Sequence, residues 1–324
     1  MVNFVMEPRE TTDHCQSIID AVESVIIGKT DIVEKILLAL LCGGHVLLED
    51  VPGVGKTTLA KAFARVLDCS FKRVQFMPDL LPSDITGSVV YNLKTTDFTF
   101  RPGPIFANVV LADEINRASP KTQSSLLECM DEAQVTVDGN THHLPQPFTV
   151  IATQNPIEQD GVFRLPLSQT DRFFMNLKMG YPALDEERRI VEDQRISHPL
   201  NALSPVISRN DIIALQETVR HVHVDALVQD YILAIVRTTR EMEDVVYGAG
   251  PRGSLFLSRC AQAHAAIKGR VYVTPDDVKS IAVEILAHRI LLDPAIQLEG
   301  ITAGDIVQRA IETTAVPDVV IVNN

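Results

Sequence analysis

The chain has 324 residues, enough for one large or two modest domains with well-buried cores. Its 42 Asp and Glu outweigh 29 Lys and Arg, for a formal charge of -13, which argues against general attraction to a nucleic-acid backbone. The five cysteines (Cys15, Cys42, Cys69, Cys129, Cys260) are scattered without a CxxC pair, so they read as thiols in a reducing compartment, not as a disulfide frame or zinc site.

The N-terminus lacks a basic start followed by an apolar core, so no signal peptide is expected. The longest uncharged apolar run, Ile36 to Leu48, is broken by Gly43, Gly44 and His45. It falls short of the roughly 20 apolar residues a membrane span needs, and the expectation is a soluble, cytoplasmic protein. Strands are expected at His45–Leu48, Phe71–Phe76, Asn108–Ala112, Phe148–Thr153 and Phe173–Met179. Their near-continuous apolar character predicts a parallel sheet covered on both faces. Helices lie between them, one over Thr57–Leu67 and another opening at Ser119-Pro120, a capping residue followed by a first-turn proline. After Gly180-Tyr181-Pro182 the pattern turns wholly helical. Ser208-x-x-Asp211 and Thr274-Pro275-x-Asp277 read as helix starts and Gly269 as a stop. The spacing predicts an α/β domain over 1–182 and an all-helical domain over 183–324 that includes a C-terminal tail.

The segment from His45 to Thr58 runs strand, tight turn, helix, the context a phosphate-binding loop requires. Gly53 and Gly55 let backbone N–H groups converge on a phosphate, and the following helix points its positive end there. Lys56 is then placed for the β and γ oxygens of ATP, and the Thr57 hydroxyl for Mg²⁺. One position departs from the usual pattern: Asp50 stands where the loop's first glycine is expected. Downstream, Val109-Val-Leu-Ala-Asp113-Glu114 is an apolar strand ending in two carboxylates. If neighbouring strand residues face opposite ways, Asp113 can serve the metal through its water shell while Glu114 polarises the attacking water. A strand ending in solvated acids is common, and it is the phosphate loop upstream that gives the doublet its meaning.

Phe148–Pro156 is another apolar strand, ending at Asn155, which can sense a γ-phosphate if the strand lies beside the phosphate loop. Arg172 follows Asp171 and precedes the last strand. From the residues alone it is either half of a structural ion pair or an arginine finger that neutralises the transferring phosphoryl group. Arg252, in Gly250-Pro-Arg252 at a helix start, is either an exposed first-turn arginine or a second nucleotide contact.

Together these segments resemble the MoxR family of AAA+ ATPases. The resemblance runs from about Val25 to Ile290 and is carried by Glu49–Thr57, Leu111–Ala118 with Pro120–Gln123, Met77–Gly87, Arg101–Phe106 and Ala152–Glu158. It implies a P-loop core with a five-stranded parallel sheet, a helical lid, and hexameric rings with ATP between subunits. It also implies that Pro52, Gly53, Val54, Gly55, Lys56, Thr57 and Thr58 wrap the phosphates, with Ile27-Gly28 bordering the adenine. Asn155 takes the first sensor role, Arg172 the finger role on a neighbour's ATP, Arg252 the second sensor role, and Arg117 an interface role. Two departures fall near interface elements: Leu167 and Ser168 replace an acidic residue and alanine, and Gly250 replaces serine.

Two hairpin insertions, at 83–104 and 133–148, also look like those of this group, the second turning at Asp138-Gly139. The resemblance implies a chaperone-like remodeller of protein complexes, with von Willebrand factor A domain proteins as partners. A nucleic-acid motor and a chelatase-like motor for metal insertion are the competing classes. The hairpins carry only Lys94 and Arg101 as cations, too few for gripping phosphates. His142-His143 on a strand, and His221 with His223 on an expected helix, face apart and predict no shared metal.

Overall fold

The computed structural model describes residues 6–94, 96–156, 162–195 and 197–317. Ile157-Glu158 of the family-like block and the end of the tail from Asp318 lie outside the described residues.

Two helices, α1 (Pro8–Glu23) and α2 (Thr30–Leu41), precede strand β1 (Val46–Glu49). The phosphate loop leads into α3 (Lys56–Val66) and then β2 (Phe71–Gln75). The first insertion is a single helical turn, α4 (Pro82–Thr86), and the hairpin β3 (Gly87–Asn92) with β4 (Asp97–Pro102). Next come β5 (Val109–Asp113) and α5 (Pro120–Glu132), whose Ser119 cap accepts the Thr122 N–H at 3.4 Å. The second hairpin pairs β6 (Gln134–Val137) with β7 (Asn140–His143). Both of its turn residues, Asp138 and Gly139, take positive φ (49° and 76°), the geometry that matches strand twist. The core closes with β8 (Thr149–Gln154), short α6 (Leu167–Thr170) and β9 (Met175–Leu177).

The five core strands form one parallel sheet in the order β2-β5-β8-β1-β9. Every residue of β5 is buried, as is β8 up to Gln154, because both faces are covered. That coverage is why these strands read as unbroken apolar runs. All strand carboxyl ends share one rim of the sheet, and the loops that follow β1, β5 and β8 emerge there.

Past Pro182 lie α7 (Leu184–Asp193), α8 (Arg209–Arg220), α9 (Ala226–Glu241), a short strand β10 (Val245–Tyr247), α10 (Pro251–Ile267), α11 (Pro275–Leu286), β11 (Leu291–Leu292), α12 (Pro294–Leu298) and α13 (Ala303–Thr313). The helix starts at Ser208 and Thr274 are capping boxes, and Gly269 terminates α10 with φ of 73°. Two details correct the sequence reading. The lid is not purely helical, since β10 and β11 pair antiparallel across the intervening α10 and α11. His221 caps the end of α8 and His223 bridges to Tyr272 in extended backbone, so the two do not share a helix. His142 is likewise occupied, stacked on Phe100 with ring centroids 4.0 Å apart and joining the two hairpins. No cluster of metal-ligating side chains exists among the described residues, and no helix among them is long and apolar enough to cross a membrane.

The change of architecture at 182 does not interrupt packing. One hydrophobic cluster runs from α1, α2 and α3 into α8–α11 and α13, and α2 is buried on nearly every side because lid helices cover what α1 does not. Ion pairs fasten the same junction: Lys35 on α2 meets Glu284 at 2.5 Å, and Lys268 meets Glu34 at 2.9 Å. Inside the lid, Asp277 is 1% exposed. It accepts from Arg270 (2.5 and 2.7 Å), the Thr274 N–H (2.7 Å) and hydroxyl (2.8 Å), and stands 2.6 Å from His264 Nδ1. Burial opposes its ionisation, yet the Arg270 and His264 contacts outweigh that and hold its carboxyl well below the usual range. Asp277→Ala should therefore lower unfolding free energy by about 3 kcal/mol, read from urea midpoints at neutral pH. Because the folded pKa lies below the unfolded one, this contribution is complete above the unfolded value and drains away as pH falls through the folded value. Below about pH 4 the wild type should lose stability on acidification more steeply than the alanine variant.

Candidate functional site

β1 delivers the chain to the carboxyl rim at Glu49, and residues 50–55 turn back into α3. Gly55 caps α3 at φ 94° and Gly53 stands at φ 88°, a region closed to other side chains without strain. Lys56 opens the helix and donates from Nζ to the Asp50 carbonyl at 2.7 Å. Burial pushes its pKa below the ordinary lysine value, while the negative charges of Asp50, Asp113 and Glu114 push the other way. The glycine turn and the acid doublet therefore converge.

Asp113 ends β5 almost buried. Its Oδ1 accepts the Thr153 hydroxyl at 2.6 Å, and its Oδ2 accepts Arg73 Nη2 at 2.6 Å and Nε at 3.0 Å. Glu114 does not continue the strand. It adopts the left-handed region (φ 57°, ψ 50°), a conformation that costs a non-glycine residue about 1–2 kcal/mol. This kink, in place of strand alternation, is what aims the second carboxylate away from the first. The Glu114 N–H is anchored on the Thr153 hydroxyl at 2.8 Å, so one threonine positions both acids. The Glu114 carboxylate accepts Gln75 Nε2 at 2.7 Å and Arg117 Nη1 at 2.9 Å. Arg73, Gln75 and Thr153 were not singled out from sequence. The signal available was a set of polar residues, Lys72, Arg73 and Gln75, in β2, which becomes informative once Gln75 is known to lie opposite Asp113.

Asn155 follows β8, is nearly buried, and lies at the rim because Gln154 pairs with Glu49 of β1. Its carbonyl accepts Asn116 Nδ2 at 3.4 Å. Thr57 sits in the first turn of α3, and with Asp113 it offers hard oxygen donors of the kind Mg²⁺ prefers.

Beside the loop opens a cavity of about 460 Å³. Ile27, Pro52, Gly53, Val54, Gly55 and Thr58 line one side, and Tyr181, Pro182, Ile190, Gln194 and His198 line the other. Gly28 stands at φ 73°, a left-handed conformation that other residues adopt only with strain, with the Glu186 carboxylate against it. The lid-side lining carries no motif and could not be assigned without the fold.

Arg172 and Arg252 are brought to each other and not to this rim. Arg172 pairs with Asp131 at 3.2 Å, and Arg252 reaches Asp131 at 3.8 Å and Asp171 at 3.6 Å. Asp131 ends α5 next to Met130, whose carbonyl contacts His45 before β1, and Phe174 bonds the His45 carbonyl. The pair thus stands at the strands' starting end, separated from the loop by the length of β1, roughly 13 Å for four residues. Buried Arg289, its pKa pushed down to about 10 mainly by desolvation, fixes the same corner through Asp171 Oδ1 at 3.0 Å.

Comparison with known proteins points to the same fold. The profile of the "ATPase family associated with various cellular activities (AAA)" matches residues 45–175, and that of the AAA lid domain matches 237–310. The chain is 50% identical to the protein YeaC of Bacillus subtilis, over 92% of this chain and 93% of that protein. It is 41% identical to the chaperone MoxR1 of Mycobacterium tuberculosis, over 92% of this chain and 81% of that one. A crystal structure from Cytophaga hutchinsonii, described as that of an ATPase, superposes with a TM-score of 0.90 at 35% identity, over 96% of this chain and 97% of that one. Lys56→Ala should weaken ATP binding by about 100-fold or more in calorimetric titration, the scale of losing a charged contact to the phosphates. Undiminished affinity would contradict the loop's assignment.

Proposed function

The chain belongs to the MoxR family of AAA+ ATPases, and we propose that it hydrolyses ATP to ADP and phosphate to remodel partner protein complexes. The observation that carries this reading is the convergence of Lys56, Asp113 and Glu114 at one rim of the sheet. In the proposed cycle Lys56 exchanges the Asp50 carbonyl for the β and γ oxygens, and the N–H groups of residues 53–58 surround the phosphates. Mg²⁺ arriving with the nucleotide would be held by Thr57 and Asp113 and would neutralise charge on the same oxygens. Glu114 orients and polarises the attacking water. To do so it must exchange the Gln75 and Arg117 contacts for that water. Asn155 contacts the γ-phosphate from the adjacent strand.

The site is unfinished within one chain, because no arginine of the Arg172–Arg252 corner faces its own loop. Both arginines are proposed to act on the ATP of a neighbouring subunit in a hexameric ring, with Asp131 holding them when no neighbour is engaged. The similarity to a protein named as a chaperone, and hairpins nearly devoid of cations, favour a protein client over nucleic acid. A von Willebrand factor A domain protein is the partner class proposed.

Glu114→Gln should retain ATP affinity while turnover falls about 10²- to 10⁴-fold, measured by phosphate release. Wild-type turnover in that variant would remove Glu114 from the role of base. Arg172→Ala should bind ATP but not hydrolyse it. Mixed with Lys56→Ala protein, it should regain part of the activity, since each interface of one orientation then has an intact loop facing an intact finger. A mixture as inactive as its components would place Arg172 in a structural role.

A further inference from the structure

Asp50 occupies the loop position where the pattern's first glycine is usual, and the proposed chemistry gives its carboxylate no task. The residue is 8% exposed. Its backbone serves the phosphate side of the site: the carbonyl receives Lys56 Nζ at 2.7 Å, and the N–H donates to Gln154 beside Asn155 at 3.1 Å. Its carboxylate faces elsewhere. Oδ1 accepts the Val51 N–H at 2.8 Å, and Oδ2 accepts the Gly180 N–H at 2.5 Å. Gly180 immediately precedes Tyr181-Pro182, the wall of the cavity opposite the loop and the point where the chain leaves the core for the lid. A second strap reaches the same wall from the other side, Lys29 Nζ donating to the Tyr181 carbonyl at 3.0 Å.

We infer that Asp50 is a positioning residue that straps the phosphate loop to the base-side wall at Gly180, so that the two halves of the nucleotide cavity keep a fixed separation. A glycine at 50 would preserve both backbone bonds and lose the strap, together with the Val51 N–H contact and one negative charge near Lys56. A charged acceptor held away from water makes a stronger hydrogen bond than a neutral one, so the carboxylate suits this task. The inference rests on the nucleotide-binding reading of the cavity and adds a residue to it: the side chain acts on the base half, the backbone on the phosphate half.

This division of labour gives the test. Binding of ATP and of inorganic triphosphate, which lacks base and ribose, is measured for the wild type, Asp50→Gly and Asp50→Asn. Asp50→Gly should weaken ATP by about tenfold while triphosphate, relieved of one negative charge near Lys56, binds at least as tightly as to the wild type, a raised KM with little change in kcat. Asp50→Asn, which keeps a neutral acceptor, should weaken ATP by about threefold, and it carries the test alone if the glycine variant does not fold. The inference is overturned if these variants bind ATP as the wild type does, or if triphosphate is weakened as much as ATP, which would place Asp50 in the loop's own integrity. Wild-type protein that binds neither probe would instead overturn the nucleotide reading itself.

Discussion

Everything in this molecule's chemistry depends on a cluster of opposite charges held at one rim of a parallel sheet. Lys56 comes from the helix after β1, Asp113 and Glu114 from the end of β5, and Arg73 and Gln75 from the edge strand β2. In the structure these groups satisfy one another: the lysine on a carbonyl, the aspartate on Arg73 and Thr153, the glutamate on Gln75 and Arg117. Partly buried charges left without partners would be costly, so these pairings keep the site folded and loaded. In the proposed cycle a triphosphate would bind by exchange of partners, which would let a strongly charged site exist in both states.

The parallel sheet and the phosphate loop were legible because their signals are local. An apolar run, a glycine turn and a helix follow one another within 14 residues, from His45 to Thr58. The capping boxes and the Asp138-Gly139 turn are equally short-range statements, and the structure carries them out. What escaped was set by partners distant in sequence. Arg73 meets Asp113 across 40 residues, β10 meets β11 across the length of α10 and α11, and α2 owes its all-round apolarity to lid helices from the far half of the chain. Glu114 escaped for a different reason. Strand periodicity extrapolates an extended backbone, whereas this residue spends local strain to turn its carboxylate toward the site.

The lid illustrates how an architectural boundary can differ from an energetic one. A switch from strand-and-helix to helix alone is plain at Pro182, yet the apolar cluster passes through it by way of α1 and α2. Lys35–Glu284 and Lys268–Glu34 add charge pairs at the same seam. Burial of this extent makes independent swinging of the whole lid expensive, since each square ångström of apolar surface exposed costs about 25 cal/mol. The contacts least anchored in apolar packing lie at the Tyr181–Pro182 crossing, in α7, none of whose residues is buried, and around the cavity they wall.

In the proposed cycle the two ends of the sheet divide the labour of the site between molecules. Loops at the carboxyl rim would hold and cleave the triphosphate, short of compensating positive charge from the far side. The starting end of the strands would supply that charge to a neighbour, from Arg172 and Arg252 gathered on Asp131 and braced by Asp171 and buried Arg289. A finger that could fold back onto its own loop would make each chain a self-sufficient hydrolase, with no reason to sense a neighbour. Separating the two by the length of β1 removes that option. Under that proposal hydrolysis would be a property of the interface, and a carboxylate that restrains the arginines until a more highly charged triphosphate competes for them would be the simplest device for reporting that the interface has formed.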